Sequence, residues 1–360
     1  SLFYAAAKLK LGLVYYMQKN DIAAIDILKN VIIESPNTNI SQEALHVVKN
    51  IYSEIGQANQ FLELIKNIEH DYTKADLDSS MYYSAELQYM QGNYQNAITS
   101  LNSYLTYYPK GLFYLETNYY LYKSYESIGD FENAINALDI IVNTQQNKYT
   151  IEGLRNLARM SFDLEKYISA EMYFSQLLDV SSEIDLKKEA IMGLLESKFN
   201  LNQYNEVVLS IANLVKNDLF SGSDEVRIHY LAAYSLYKMN KTPQSLIEFK
   251  WLINNTEGSL KAEAFYYTSL ILYNDKKYDK SQDMIFQLIN ELPSYQIWIQ
   301  KALLILAKTY IMQEDFFQAQ HVLTELEKKS KDPEVLQDLR KILNNNFSHL
   351  QGDSLMNRND

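Results

Sequence analysis

Tyr230, Tyr234 and Tyr237 stand at the spacing i, i+4, i+7, which on a helix sets three phenol rings along one face. Tyr266 and Tyr273 repeat the outer interval in the next stretch of chain, and a second set of residues, Lys123, Arg155 and Arg159, is basic. The chemistry open to such side chains is non-covalent capture. A tyrosine brings a broad apolar contact with a hydroxyl at its rim, and an arginine fork grips a carboxylate through two parallel hydrogen bonds. A plainer account stands beside this one. The chain holds 30 Tyr, so a tyrosine stripe can serve packing, and the arginines can pair with Glu152 or Asp163.

Covalent and metal chemistry find little to work with. There is no cysteine, which removes thiolate metal sites, disulfides and thiol nucleophiles. The five histidines (His46, His70, His229, His321, His349) lie far apart in sequence. No H-E-x-x-H, G-x-S-x-G, phosphate loop or dinucleotide glycine pattern occurs. We therefore expect no catalytic residue, no cofactor and no metal, and we read Asp76/Asp78 and Glu325/Glu327 as solvated helix ends and faces. A net charge of −12 argues against nucleic acid, which demands a concentrated cationic surface. No run of eighteen apolar residues is present, so no transmembrane helix is expected.

The elements that must position these residues recur every 36 to 38 residues. One position in the period is small: Ala24, Ala97, Ala134, Ala170, Ser245, Ser281 and Ala319, with Val207 borderline and Phe61 the exception. Four residues later stands a large apolar residue without exception: Leu28, Ile65, Leu101, Leu138, Phe174, Ile211, Phe249, Ile285 and Leu323. That interval is one helix face, the small residue admitting a neighbouring helix and the large one filling the space beside it. An upstream helical stretch carries its own small residue at Gly12, Ala85, Ala158, Ala233, Ser269 and Ala307. Lys49, Tyr122 and Leu195 break that rule and predict hairpins there that pack less tightly or are shifted in register. Tyr94, Phe131, Tyr167, Tyr204, Tyr278 and Phe316 lie between the two stretches as plugs of the hairpin. Thr242-Pro243 and Asp332-Pro333 read as an N-cap followed by proline at the first helical position, and Ser223, in the soft connection 220–224, as a cap. Pro36, Pro109 and Pro293 end second helices.

GNYQNAITSLNSYLTYYP (92–109) and GDFENAINALDIIVNTQQ (129–146) show the unit most clearly. Their G-[DN]-[YF]-x-x-A core, the small–large spacing and the trailing proline resemble tetratricopeptide repeats, over roughly residues 1 to 331. The resemblance implies an all-α, right-handed superhelical solenoid of about nine helix-turn-helix repeats. A single domain over 1–345 is then expected, closed by a capping helix at 333–345 and followed by a flexible tail at 346–360. The opening directly into a hairpin suggests a fragment of a longer array. Mapped on the family, Tyr230, Tyr234, Tyr237, Tyr266, Tyr273, Lys123, Arg155 and Arg159 fall on the concave face lined by the first helices. The Lys and Asn positions of the family's peptide-terminus clamp are not filled in that way, so that activity is not carried over.

A softer resemblance is to long multi-repeat envelope proteins of Bacteroidota-type bacteria. It rests on LDIIVNTQQNKYTIEGLRNLARMSFDLEKYISAEMYFSQLL, on YQIWIQKALLILAKTYIMQEDFFQAQHVLTEL and on the Asn-, Ile-, Lys- and Tyr-rich composition. Asp353-Ser354-Leu355 resembles the short O-glycosylation signal of exported proteins of that group. The expected function is a non-enzymatic scaffold that takes a protein or peptide partner on its concave face. Its setting would be a periplasmic or outer-membrane-associated assembly; the alternative is a cytoplasmic module sensing a signalling peptide.

Overall fold

The computed structural model describes residues 2–68, 74–214 and 220–356. Among them are nineteen helices and no strand. The chain forms two compact units, Ser1–Ala190 and Ile191–Asp360. The first holds α1 (Leu2–Met17), α2 (Asp21–Glu34), α3 (Asn39–Glu54), α4 (Ala58–Asn67), α5 (Lys74–Met90), α6 (Tyr94–Tyr107), α7 (Tyr114–Ser127), α8 (Phe131–Val142), α9 (Thr150–Asp163) and α10 (Tyr167–Val180). The boundary falls inside α11 (Ile184–Asn200). The second unit continues with α12 (Tyr204–Leu214), α13 (Ser223–Lys238), α14 (Thr242–Asn255), α15 (Gly258–Asn274), α16 (Tyr278–Glu291), α17 (Gln296–Met312), α18 (Phe316–Lys329) and α19 (Pro333–Met356). Within each unit an odd-numbered helix packs on the even-numbered one that follows it, and odd helices also touch one another, as in α3 with α5 and α15 with α17. Each unit is a stack of antiparallel helix pairs. None of the described helices is long and apolar enough to cross a membrane.

The small–large code is what packs the pairs. Ala24, Ala97, Ala134, Ala170, Val207, Ser245, Ser281 and Ala319 are all 0% exposed, and their large partners are buried too. At Gly12 the fit is close enough that a Cβ would lie 2.6 Å from Leu28 Cγ. Where serine takes the small position, its hydroxyl stays satisfied by reaching across the pair. Ser245 Oγ donates to the Ala233 carbonyl at 2.9 Å, and Ser281 Oγ to the Ser269 carbonyl at 2.8 Å. The looser packing expected at Tyr122 and Leu195 does not follow, since both are 1% exposed. α8 offers two buried alanines, Ala134 and Ala137, which leave room for the larger side chain on α7. Lys49 is half-buried.

Every turn from an odd to an even helix reverses through one left-handed residue: Lys19, Gly56, Gly92, Gly129, Glu165, Asn202, Asn240, Lys276 and Glu314, with φ from 56° to 78°. In three of these turns the side chain of the next residue caps the even helix. Asn20 accepts from Ala23 N, Asp130 from Asn133 N and Asp315 from Gln318 N. The glycines of the repeat core thus serve a backbone conformation that a side chain makes costly, by about 1–2 kcal/mol for an L-residue. Glu314→Gly removes that strain against a glycine entropy of about 0.5–1 kcal/mol. We expect a net gain of about 0.5–1 kcal/mol, read as a higher urea midpoint. An unchanged or lower midpoint would refute the strain argument.

Several local expectations shift. Thr242 is the first residue of α14, Lys241 takes the cap position, and neither the Lys241 cap nor Gly222, which precedes Ser223 at the start of α13, supplies a side-chain hydrogen bond. Asp332 does cap α19, accepting from Glu334 N at 2.8 Å. The aromatics between the stretches open the even helices, and four of them, Tyr94, Tyr167, Tyr204 and Tyr278, rest on rings five residues earlier, as in Phe162–Tyr167 at 5.4 Å and Phe199–Tyr204 at 5.8 Å. Phe131 and Phe316 remain nearly half exposed, so these rings edge the turn and do not plug it. α19 runs on beyond 345 to Met356, bent at Phe347 (φ −131°, ψ 18°). Phe347 is 4% exposed and packs with Leu304, Val335 and Leu339, which anchors residues where a tail was expected to begin. The side chains of Asp353-Ser354-Leu355 lie outside the described residues, as do those of His70 and His349.

Candidate functional site

In the second unit the structure joins the predicted tyrosines into a chain of half-buried rings. Tyr230 and Tyr234 stack with centroids 6.3 Å apart, and Tyr234 meets Tyr237 edge-on at 6.2 Å. The stripe extends further than the i, i+4, i+7 pattern. Tyr267 on α15 bridges Tyr234 (5.5 Å) and Tyr237 (5.3 Å) on α13 and contacts Tyr266 at 5.1 Å, and Tyr266 continues to Trp298 on α17 at 5.5 Å. Phe199 adds a ring at the other end, 5.5 Å from Tyr234. Tyr267, Trp298 and Phe199 were missed in the sequence. Tyr273 stands apart, with Tyr278 at 5.9 Å, and lines a pocket with Lys308, Ile311, Met312 and Ile342.

Charged groups frame these rings. Arg227 lies 5.4 Å over Tyr230 and pairs with Glu196 at 2.7 Å; Lys238 lies 5.1 Å over Tyr234; Lys301 lies 5.7 Å over Trp298 and pairs with Glu334 at 3.0 Å. The Tyr230 hydroxyl donates to Glu263 Oε1 at 3.3 Å. Burial, then the Glu263 charge, pushes the Tyr230 phenol up to about 12. Burial also raises the Glu263 carboxyl above its ordinary range, against the pull of Tyr230, Lys301 and Arg227. The surface is apolar in its faces and polar at its rims, the make-up of residues that dominate protein contacts.

The basic trio in the first unit offers no free charge, because each cation already has a carboxylate. Arg155 binds Glu189 through Nε at 2.9 and 3.0 Å and through its terminal nitrogen at 2.7 Å, while Arg159 Nε reaches the same carboxylate at 2.5 Å. The partner is Glu189, not Glu152 or Asp163. Burial would raise the Glu189 carboxyl, but the hydrogen bonds from the two arginines outweigh it and hold the group below its ordinary value. Lys123 lies 3.4 Å from Glu126 and 3.6 Å from Glu152.

The first unit also holds an aromatic chain that the sequence reading passed over. Tyr82 stacks on Phe113 at 4.2 Å and lies 6.4 Å from Tyr120; Tyr120 meets Tyr89 at 4.9 Å and Tyr119 at 5.7 Å; Tyr119 stacks on Tyr149 at 4.4 Å. Carboxylates stand among the rings. Tyr82 donates to Glu86 at 2.9 Å, Tyr122 to Glu126 at 2.9 Å and Tyr119 to Glu152 at 3.2 Å. The phenols of Tyr119 and Tyr120 are each pushed up to about 12, by burial first and then by Glu152 and Glu86 respectively. Asp78, expected at a solvated helix end, is 6% exposed: Tyr104 donates to one of its oxygens at 2.5 Å and Leu112 N to the other at 2.9 Å. Asp76 is exposed, and Glu325 pairs with Lys328 and Lys329 at the surface. Among the described residues no three His, Asp or Glu side chains form a group able to hold a metal ion.

Comparison with known proteins agrees with this architecture. A family profile described as tetratricopeptide repeat matches residues 6–38 and 79–111, the first and third helix pairs. A TPR repeat-containing protein of Methanocaldococcus jannaschii is 24% identical over 256 residues, which cover 65% of this chain and 42% of the relative. The chain thus spans less than half the length of that relative. Among solved structures, the TPR protein YrrB is similar over 58% of this chain and all of its own, with a TM-score of 0.44 and 15% identity. Yeast Tom70 is similar over 99% of this chain and 97% of its own, with a TM-score of 0.39 and 12% identity. Helix pairs at this period, small residues buried at each crossing and two matched repeats give one conclusion: residues 6–38 and 79–111 match tetratricopeptide repeats, and the helix pairs of the rest of the chain resemble them.

Proposed function

We propose that this protein is a non-catalytic scaffold that captures a segment of a partner protein on the odd-helix face of its second unit. Tyr230, Tyr234, Tyr237 and Tyr266, joined by Tyr267 and Trp298, form the contact surface. The observation that carries the reading is the unbroken run of half-buried rings across α13, α15 and α17, with neighbouring centroids 5.1 to 6.3 Å apart. Tyr230, Tyr237 and Tyr267 rest on a buried layer in which Ala233, Phe249 and Leu252 are 0% exposed, and keep their outer faces half-buried at the surface. Rings held against one another lose little side-chain freedom on binding, which favours affinity. Tyr273, Lys123, Arg155 and Arg159 are outside this surface in our proposal, the last three because their charges are already engaged in ion pairs. The setting we propose is a bacterial envelope assembly, supported by the sequence resemblance described above and tested by fractionation of the intact protein.

The test is site-specific photo-cross-linking in native cells. A benzophenone amino acid replacing Tyr237 is expected to give a defined cross-linked partner, and the same group at Glu132, exposed on α8, is not. A second arm replaces Tyr266 by alanine and should reduce the Tyr237 cross-link about tenfold, the effect of losing one aromatic anchor. Equal cross-linking from both positions, or a yield indifferent to Tyr266→Ala, would dismiss this face as the working surface.

A further inference from the structure

The aromatic chain of the first unit differs from that of the second in its charge. Among the described residues Glu86, Glu116, Glu126 and Glu152 stand among or beside its rings, with Lys123 and Lys148 paired to the last three. Those two lysines show what the surface accepts. Lys123 lies 4.7 Å over the Tyr122 ring with Glu126 and Glu152 at 3.4 and 3.6 Å, and Lys148 lies 4.8 Å over Tyr149 with Glu116 at 2.9 Å. Each seat is one ring face plus a carboxylate, the combination that attracts an ammonium or guanidinium group by quadrupole and charge together. A third carboxylate stands among the tyrosines without a cation. Glu86 on α5 is half-buried, accepts from the Tyr82 hydroxyl at 2.9 Å and lies against the Tyr120 phenol, whose ring is 4.9 Å from Tyr89. Among the described residues no lysine or arginine pairs with Glu86.

We propose that the odd-helix face of the first unit, centred on Glu86 with Tyr89 and Tyr120, binds a basic extended segment of a partner protein, seating a lysine or arginine side chain against the Glu86 carboxylate. The site goes beyond the capture proposed for the second unit and does not depend on it. Charge complementarity selects the partner. An acidic segment would meet two more carboxylates than cations, whereas a basic one gains an ion pair at Glu86, the one of the four with no lysine or arginine paired to it among the described residues. The neighbouring cations do not block it, because both are already committed to their own carboxylates.

The experiment uses the full chain and a fluorescein-labelled nona-lysine peptide, followed by anisotropy. The control probe is the same peptide with every amine acetylated. Nona-lysine is expected to bind and the acetylated peptide to bind at least tenfold more weakly. Glu86→Gln, which keeps an acceptor for Tyr82 while removing the charge, should weaken nona-lysine about tenfold, the loss of one ring-assisted ion pair. Glu132→Gln makes the same change in net charge on the exposed surface of α8 and should shift binding less than twofold. Tyr89→Leu supplies a second variant, expected to weaken binding with Glu86 intact. Equal binding of the two peptides, no effect of Glu86→Gln, or an equal effect of Glu132→Gln would overturn the proposal, the last by showing diffuse attraction to an acidic protein. The cross-link at Tyr237 in the other unit reads out separately, so failure of either site leaves the other standing.

Discussion

Replacing Asp78 by alanine is expected to lower the stability of the first unit by about 3 kcal/mol, because a buried donor and a partly buried one lose their acceptor together, the buried one costing about 1–3 kcal/mol and the other less. The Tyr104 hydroxyl and the Leu112 amide both point at this carboxylate, and Tyr104 in turn accepts from Phe113 N at 3.0 Å. The network ties the connection after α6 to the start of α5. Gly111 is part of the same design, since a Cβ there would run into the Tyr104 hydroxyl. Asp78→Asn keeps an acceptor for one donor and should cost less, about 1 kcal/mol. Urea unfolding followed by circular dichroism measures both. A midpoint for Asp78→Ala equal to that of the wild type would mean that water satisfies these groups and the network contributes nothing.

Ala97→Leu should cost about 1–3 kcal/mol by overpacking the crossing of α5 and α6, where neither helix has room for an added isobutyl group. Ala97 and its counterpart Ala85 are both 0% exposed. A contrasting substitution sharpens the test. Ser245 and Ser281 occupy the same register in other pairs and donate to the carbonyl of the facing small residue. Ala97→Ser should therefore be tolerated within about 1 kcal/mol, its hydroxyl reaching the Ala85 carbonyl in the same manner. The thermal melt of the two variants decides the matter. If leucine and serine at 97 behave alike, volume is not what the position controls, and the repeat register assigned from the small residues is wrong.

The helix pairs were legible because their code is local. A small residue and a large one four positions later lie on one helix face whatever the surroundings, and a repeat restates that face every 36 to 38 residues. The tyrosine stripe on α13 was legible for the same reason. What escaped is the pairing between neighbouring helix pairs. Arg155 meets Glu189, Tyr119 meets Glu152 and Tyr230 meets Glu263, at separations of 33 or 34 residues, close to one period. A search one period ahead of each charged or phenolic residue carries that signal; reading each helix alone does not.

The sequence by itself therefore determined the all-α class, the repeat, the crossings and the absence of cysteine chemistry, since each depends on residue type and short spacing. The tertiary structure decided which charges remain unpaired and which rings adjoin. Burial and ion pairing are properties of what the next helix brings. Asp78 turned from a solvated end into a buried acceptor because Tyr104 and Leu112 fold over it, and the basic trio turned from a free patch into engaged pairs because Glu126, Glu152 and Glu189 stand within reach. The same physics left Glu86 among tyrosines without a cation. That asymmetry, in an otherwise repeating chain, is written in the stacking and not in any one repeat.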